Sequence, residues 1–434
     1  MASQKSPGSN EVSRRSFLGS SGAVLAASAL SPSAAVAARA HVLGREQIKV
    51  GLVGCGGRGG GAAVNALRAD PACQLVAMGD AFEDRVRGKL SSLKRVDDIK
   101  ERVLVDADHV FWGFDAYKKV IDSCDVVCLA ATPHFRPIHL RYAIEQGKHV
   151  FCEKPVATDA PGVRSVMATC ELARKKGLSI VSGLCWRYAD TVRQTMDLVH
   201  EGAIGDLRSM EVTYHTNGLW HRGDKPEWSR MEYQIRNWLY FHWLSGDMIT
   251  EQHIHSLDKA MWAMKDQPPA RAFGVGGRQV RTDKKYGNIY DHFAIIYEWE
   301  DGRRVYSSCR QWDGCKADVS DHIFGTKGIC HIASYSGRIE GETKFKTKRP
   351  QGNMYQLEHD ALFRAIRAGE PINNGDYMAK STLMAILGRQ AAYTGQSIGW
   401  EQMLNSEESL APEKYDWVDV AAPALPMPGH TRFR

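Results

Sequence analysis

IKVGLVGCGGRG, residues 48–59, is the stretch on which the reading of this chain turns. Its first six residues form a short apolar run of strand type. They lead into Gly54-x-Gly56-x-x-Gly59 and then into GAAVNALRA, whose apolar spacing is helical. A strand, a glycine turn and a helix in that order give the glycine spacing its meaning. Without a Cβ, glycine permits the tight turn and lets backbone N–H groups approach a pyrophosphate, whose charge is favoured at a helix N-terminus. Gly54, Gly56, Gly57, Arg58 and Gly59 are therefore candidate dinucleotide contacts. The next strand-like run, CQLVAMGD, ends in Asp80, where a carboxylate accepts hydrogen bonds from an adenosine ribose and repels a 2′-phosphate. NAD is favoured over NADP, although Arg85 and Arg87 follow closely and keep NADP open.

Two further strand-length apolar runs follow, DVVCLAATP at 125–133 and KHVFCEKP at 148–155, separated by the helical FRPIHLRYAIEQG. Alternating strand and helix implies parallel strands with right-handed crossovers, hence a doubly wound α/β sheet. Ligands on such sheets bind outside the carboxyl ends of the strands. Thr132, Pro133, Glu153 and Lys154 fall at those ends and join the cofactor-binding candidates.

From about Pro161 the pattern changes. After Asp206 the strand signals alternate: HFAIIYEWE and RRVYSSCRQW flank the turn dipeptide Asp301-Gly302, and DHIFGT pairs plausibly with ICHIAS across Lys327-Gly328. Helical patterns return at 353–368 and 376–394, and the tail APALPMPGHTRFR is Pro-rich and suits an extended arm. The expected division is a leader at 1–40, a dinucleotide-binding domain at 45–160, a substrate-binding and dimerisation domain at 161–400 and an arm at 401–434. The outer face of an antiparallel sheet rich in apolar and aromatic residues suits a partner subunit, so a homodimer or homotetramer is expected.

The chain resembles the Gfo/Idh/MocA oxidoreductases, whose hallmark is an E-K-P motif closing the nucleotide domain. The resemblance rests on GLVGCGGRG, on AATPHFRPIHLRYAIEQGKHVFCEKPVATD at 130–159 and on SGDMITEQHIHSLD at 245–258. It implies a Rossmann domain followed by an α/β domain with an open, mainly antiparallel sheet. It also implies a nicotinamide cofactor, NAD first, and oxidation of a sugar or polyol hydroxyl. Oxidising a secondary alcohol needs a base for the hydroxyl proton and a hydride acceptor held against the carbon. Family position makes Lys154 the cation that stabilises the alkoxide and His255 the base, with Asp258 completing H-x-x-D. Glu251 stands where the family usually has Asp and is expected to orient His255. His253 stands where the family often has Gly and adds a second polar ring on the substrate side.

Three N/O donors at Glu251, His253 and His255 also suit a metal ion, but no Cys partner or H-E-x-x-H spacing supports one, and no metal is assigned. His242 reads as a satisfied core or pocket residue. The segment from Tyr214 to Trp243 carries Trp220, Trp228, Trp238 and Trp243 among Arg, His and Asp. Aromatic faces stack on sugar C–H surfaces while polar groups read hydroxyls. Trp220 and Trp238 are the substrate candidates there, with Arg236 and the more distant Arg187 as further contacts.

The 434 residues exceed one typical core, and 43% hydrophobic with 24% charged residues is ordinary for a globular chain. The net charge of +6 has no Lys/Arg block behind it, which sets nucleic acid aside. Beyond the leader no apolar run reaches membrane-spanning length. The ten cysteines lack CxxC spacing and read as buried thiols, with Cys309 and Cys315 close enough to bridge in an oxidising compartment.

The leader itself, SRRSFLGSSGAVLAASAL from Ser13, has Arg14 and Arg15, an apolar middle and Ala35-Val36-Ala37 and Ala38-Arg39-Ala40 beyond it. It resembles a twin-arginine signal, a route that accepts folded cargo, and points to the periplasm or exterior. An exported enzyme using a cytosolic cofactor must fold around it first, so tight binding is expected. Two rivals stay open: redox-neutral glycoside cleavage by transient oxidation and elimination, and a non-catalytic nucleotide-binding protein.

Overall fold

The computed structural model describes residues 47–434; the twin-arginine leader lies outside the described residues. Six strands form a wholly parallel sheet: β1 (Ile48–Val53), β2 (Cys73–Asp80), β3 (Val110–Trp112), β4 (Val126–Leu129), β5 (His149–Cys152) and β6 (Ile180–Ser182). Their order is β3-β2-β1-β4-β5-β6. Helices cover both faces, so β4 and β5 are buried along their whole length and read as continuous apolar runs. The order reverses between β1 and β4, and a crevice opens there at the carboxyl strand ends.

The sixth strand corrects the expected boundary at 160. Helix Ala160–Lys176 and β6 belong to the nucleotide-binding sheet, which extends to about 182. The helix begins sharply because Asp159 accepts from the Gly162 N–H at 2.8 Å, and it ends where Gly177 takes the left-handed φ of 66°. Helix Met354–Ala368 also returns to this domain and packs on helix Gly57–Ala69. The second domain is thus not one continuous stretch of chain.

The second sheet has nine strands: β7 (Leu207–Thr216), β8 (Arg271–Gly277), β9 (His292–Glu298), β10 (Arg304–Gln311), β11 (Ser320–Gly325), β12 (Gly328–Ala333), β13 (Ser336–Gly341), β14 (Phe345–Lys346) and β15 (Ile398–Gly399). They run β14-β13-β12-β11-β7-β10-β9-β8-β15, antiparallel throughout except where β10 lies parallel to β7. The two expected hairpins, β9–β10 and β11–β12, are both present. Alternation along β10 sends Val305, Ser307, Cys309 and Gln311 inward. The inner face packs against helices Ile254–Ala263 and Gly375–Thr394, while the outer face leaves Val275 66% and Tyr306 46% exposed. The ten cysteines are free thiols, nine buried and Cys315 exposed, so Cys309 and Cys315 form no bridge.

Beneath the inner face lies an ion pair between Lys259 and Asp321, both side chains almost wholly excluded from solvent. Lys259 also sits over the Trp186 ring at 4.8 Å. Burial raises the Asp321 carboxyl above its usual range, and Lys259 offsets part of that. A pair in such surroundings contributes little net stability, but removing one partner strands the other charge. Asp321→Ala is expected to destabilise the fold by about 3–5 kcal/mol, whereas Lys259→Met with Asp321→Leu should melt near the wild type. A loss below about 1 kcal/mol for the single variant, measured by denaturant unfolding, would place the pair in water instead.

Candidate cofactor and catalytic cleft

A cleft of about 560 Å³ runs along the carboxyl ends of β2, β1, β4 and β5 and is closed on its far side by the second domain. Its floor is the glycine turn. Gly54 has φ 95°, and a Cβ there would stand 2.3 Å from the Ala131 nitrogen. At Gly59 a Cβ would stand 1.8 Å from the Gly54 carbonyl oxygen, so only glycine lets the helix start this close to the strand. A Cβ on Gly56 or Gly57 would meet nothing within 4 Å. That open space, beside a helix with no acid in its first turn, fits a pyrophosphate.

Asp80 lines the same cleft at the end of β2. Its two oxygens accept from the Cys55 N–H at 2.6 Å and the Phe82 N–H at 3.2 Å. Burial raises this carboxyl above its ordinary value, and the two backbone bonds hold it down in part. Each oxygen retains a second acceptor site, which suits a ribose diol. Arg85 lines the cleft too, but Arg87 turns away, bonding Glu83 at 2.7 Å and lying over Trp112.

At the other end, three strands away, stands Lys154. Its Nζ donates to Glu251 Oε1 at 2.9 Å and to the Glu251 carbonyl oxygen. Glu251 is therefore a partner of the lysine; no hydrogen bond joins it to His255 among the described residues, which corrects its expected role as orienter of the imidazole. His255 lines the cleft, its ring edge-on to Trp186 at 4.5 Å and nearly parallel to Tyr214 at 6.5 Å. Its Nδ1 is buried without a partner. Burial pushes this imidazole well below the usual histidine range, and the positive charges of Lys154, Lys259 and Arg58 push it further.

Glu153 and Thr132 line the cleft, while Pro133 is buried in the turn that starts helix Arg136–Glu145 and does not reach it. Arg58, in the glycine turn, pairs with Glu153 and, at 2.8 Å, with Glu358. Its guanidinium lies over the rings of Tyr355 at 4.8 Å and Phe151 at 5.6 Å. Glu358 and Tyr355 come from helix Met354–Ala368, far along the chain, and carry no local motif. Arg136 was equally unmarked: it donates to the Ala131 and Pro155 carbonyls and so ties the ends of β4 and β5 together.

Trp220, Trp238 and Arg236 line the cleft. Arg236, however, stands at the Asp80 end, where it bonds Asp84 at 3.0 Å and covers the Phe82 ring at 3.9 Å. It is removed from the Lys154 end where a substrate would react. Two other expected substrate contacts are corrected outright. His253 is fully buried and its Nε2 bonds the Ser307 hydroxyl at 2.7 Å, beneath the second sheet. With Glu251 held by Lys154 and His253 by Ser307, two of the three donors weighed for a metal are committed to other partners. Arg187 is clamped by Asp258 and Asp266 and stacked on Tyr377 at 4.1 Å, away from the cleft lining. His242 is buried and its Nδ1 bonds Asn288, as a satisfied core histidine does.

The sequence matches the family described as oxidoreductase family, NAD-binding Rossmann fold, over residues 48–183, and the GFO/IDH/MocA C-terminal domain over 192–331. It is 27% identical over 233 residues to 2,7-anhydro-N-acetylneuraminate hydratase of Escherichia coli (strain K12), a match spanning 52% of this chain and 56% of that protein, little more than half its length. It is 28% identical over 298 residues to inositol 2-dehydrogenase of Rubrobacter xylanophilus, spanning 68% of this chain and 74% of that one. In fold it is similar to the aldose-aldose oxidoreductase from Caulobacter crescentus complexed with glycerol, with a TM-score of 0.64 and 18% identity over 81% of this chain and 99% of that chain.

The clamp on Arg187 has a consequence that separates a structural from a substrate role. Arg187→Met leaves Asp258, a buried carboxylate, without its cation, and is expected to cost about 3 kcal/mol of stability. The KM for any sugar the protein turns over should not move. A raised KM with an unchanged melting temperature would return Arg187 to the substrate site.

Proposed function

Because this chain belongs to the GFO/IDH/MocA oxidoreductase family, we propose that it oxidises a CH–OH carbon of a sugar or polyol, or reduces the ketone, with NAD held in the cleft. The observation that carries this reading is the division of labour along the strand ends. Asp80 and Lys154 sit at the ends of β2 and β5, three strand spacings or roughly 14 Å apart, with the glycine turn between them. A dinucleotide laid across those ends has its adenosine ribose at Asp80, its pyrophosphate at Gly54–Gly59 and its nicotinamide beside Lys154. Asp80 favours NAD; of the two arginines that keep NADP open, only Arg85 faces the cleft.

When bound, the nicotinamide supplies the hydride acceptor. The proton chemistry belongs to the chain. An ammonium has three donors, and Lys154 commits two of them to Glu251, leaving the third to bond the reacting oxygen. His255, neutral in its buried setting, is ready to take the hydroxyl proton. Glu251 fixes the direction in which the ammonium points.

The cofactor is proposed to stay bound through many turnovers. The Asp80 end of the cleft supports this, since Arg236 roofs Phe82 and is itself pinned by Asp84 and Glu232. Export through the twin-arginine route, argued from Arg14 and Arg15, belongs to the same proposal, because a cofactor made in the cytosol must travel inside its protein. The open face around Val275 and Tyr306 is proposed to be covered by a second copy, and sedimentation of the purified chain as a monomer at micromolar concentration would overturn that part.

A second reading is favoured by the presence of Lys154, Glu251 and His255 together, three proton-handling groups where simple dehydrogenation needs one. In it NAD, held by the glycine turn, Asp80 and Lys154, would supply a reversible hydride acceptor for a carbinol carbon. The new ketone makes the neighbouring C–H acidic, a base removes that proton, and the β-substituent leaves as an alcohol or as water. Water would add in its place and the ketone would be reduced again, so that the cycle has no net redox change. The similarity to a protein named as a hydratase is in keeping with such a redox-neutral cycle.

The experiment uses the purified full chain. Denaturation is expected to release NAD(H) in near-stoichiometric amount, identified by mass, and mixing with aldoses, polyols and glycosides should change the bound absorbance at 340 nm in a single turnover. His255→Ala and Lys154→Ala are each expected to slow that turnover by about 10² to 10⁴. Because the His255 pKa is lowered, the imidazole stays unprotonated as the pH falls. The rate should therefore remain level through pH about 6.5, where an ordinary histidine would lose its base form. An acid limb centred there, or no absorbance change with any sugar, overturns the assignment. Release of the aglycone without net NADH would select the second reading.

A further inference from the structure

Beyond Asn405 the chain has no helix or strand, so its placement depends wholly on what its side chains and backbone touch. Between Leu410 and Pro426 those contacts fall on both domains. The Leu410 N–H donates to Asp159 at 2.8 Å, and the Tyr415 hydroxyl meets His134 Nε2 at 2.8 Å. The Tyr415 ring packs on Phe135 at 5.5 Å and Phe114 at 6.0 Å, and Trp417 packs on Phe114 at 4.5 Å and Phe82 at 5.3 Å. Immediately afterwards the backbone is sewn to the second domain. Val418 O accepts from the Met231 N–H at 3.1 Å, Asp419 from the Arg230 N–H at 2.8 Å, Val420 O from Gln234 at 2.8 Å and Pro426 O from the Tyr290 hydroxyl at 2.9 Å.

The three rings that Tyr415 and Trp417 brace are themselves cleft walls: Phe82, Phe114 and Phe135 all line it. Phe82 follows Asp80 by two residues and also carries Arg236 over its ring. The segment therefore stands behind the ribose end of the cleft and crosses from one wall to the other. Separating the walls, or letting Phe82 and Phe114 swing out, breaks its contacts. Trp417 remains 38% exposed, so the contacts that seat it are few and can open without unfolding the sheet behind them.

We propose that residues 410–426 are a strap that holds the dinucleotide in the cleft, with Tyr415 and Trp417 as cofactor-positioning residues that set its dissociation rate. This rests on the reading that the cleft binds a nicotinamide dinucleotide. It goes further by assigning retention to a part of the chain outside both the glycine turn and the E-K-P motif. The adenosine end is the end held shut, and the Lys154 end is left open to exchange substrate.

The test loads the full-length protein with NADH and follows loss of its bound fluorescence after a large excess of NAD is added. Tyr415→Ala with Trp417→Ala removes the ring contacts and the bond to His134 and is expected to release NADH about thirtyfold faster than the wild type. Tyr415→Phe loses only the hydroxyl's bond and is expected to release it about fivefold faster, which keeps the test decisive if the double variant fails to fold. Trp417→Phe, which retains a ring against Phe114, should restore a near wild-type rate where general destabilisation would not. Wild-type release rates in both the Tyr415→Phe and the double variant would overturn the strap alone. A wild-type protein that neither carries nor takes up NADH would overturn the cofactor reading and the strap with it.

Discussion

A single guanidinium holds the working parts of this molecule in register. Arg58 stands in the glycine turn, bonds Glu153 of the E-K-P motif and reaches Glu358 on a helix three hundred residues later in the chain. It thereby ties the end of β1 to the end of β5 and to helix Met354–Ala368. Two carboxylates around one cation leave an excess negative charge in a buried place, and burial raises the Glu358 carboxyl well above its usual value. Arg58 offsets that negative charge in part and its guanidinium is covered by Tyr355 and Phe151, while Glu358 Oε2 stays buried without a partner among the described residues. Lys154 follows Glu153 directly, so what fixes Glu153 also limits where the ammonium of Lys154 can stand.

The parts of the fold legible in the sequence are those fixed by local rules. The strand–glycine–helix run, the acid closing β2 and the Asp301-Gly302 turn each depend on φ/ψ preferences or apolar spacing within a dozen residues. They stand where the sequence puts them. The domain boundary was less legible, because β6 is only three residues long and the run before it is a helix, which belongs equally well to either domain. Glu358 and Tyr355 were invisible for a different reason. Nothing near them in the sequence marks a role; Tyr355 lines the cleft and Glu358 reaches Arg58 only because helix Met354–Ala368 lies against helix Gly57–Ala69.

The two misplaced substrate contacts have a common cause. Arg187 and His253 are polar residues next to motif or aromatic positions, and a sequence cannot say which side of a chain segment faces the cleft. At 252–255 the answer lies in the turn between helices Asp247–Glu251 and Ile254–Ala263: Gln252 and His255 face the cleft, while His253 reaches toward β10 and Ser307. Arg187 finds two acids, Asp258 and Asp266, on and just beyond helix Ile254–Ala263, and that partnership outweighs any solvent-facing position. In both cases a partner draws the polar group inward, Ser307 to His253 Nε2 and the two acids to Arg187, as most buried polar groups have one.

If the cofactor stays bound, as proposed, the catalytic end has to work in both directions. A nicotinamide held there would have to give back at the same site whatever hydride it took up, either to a second substrate or to the first after it had been altered. The groups that remove a proton in one half of the cycle must therefore deliver one in the other. The Lys154–Glu251–His255 set is suited to that. In the proposed cycle Lys154, held by Glu251, directs an N–H at the reacting oxygen, while the imidazole, kept neutral by burial and by neighbouring cations, begins as the acceptor. Hydrogen-bond donor and proton acceptor thus line the same cleft. Running the proposed cycle backwards would turn the imidazole from proton acceptor to proton donor while the lysine keeps its bond to the reacting oxygen, so that with the cofactor retained only the substrate need pass through the open end of the cleft.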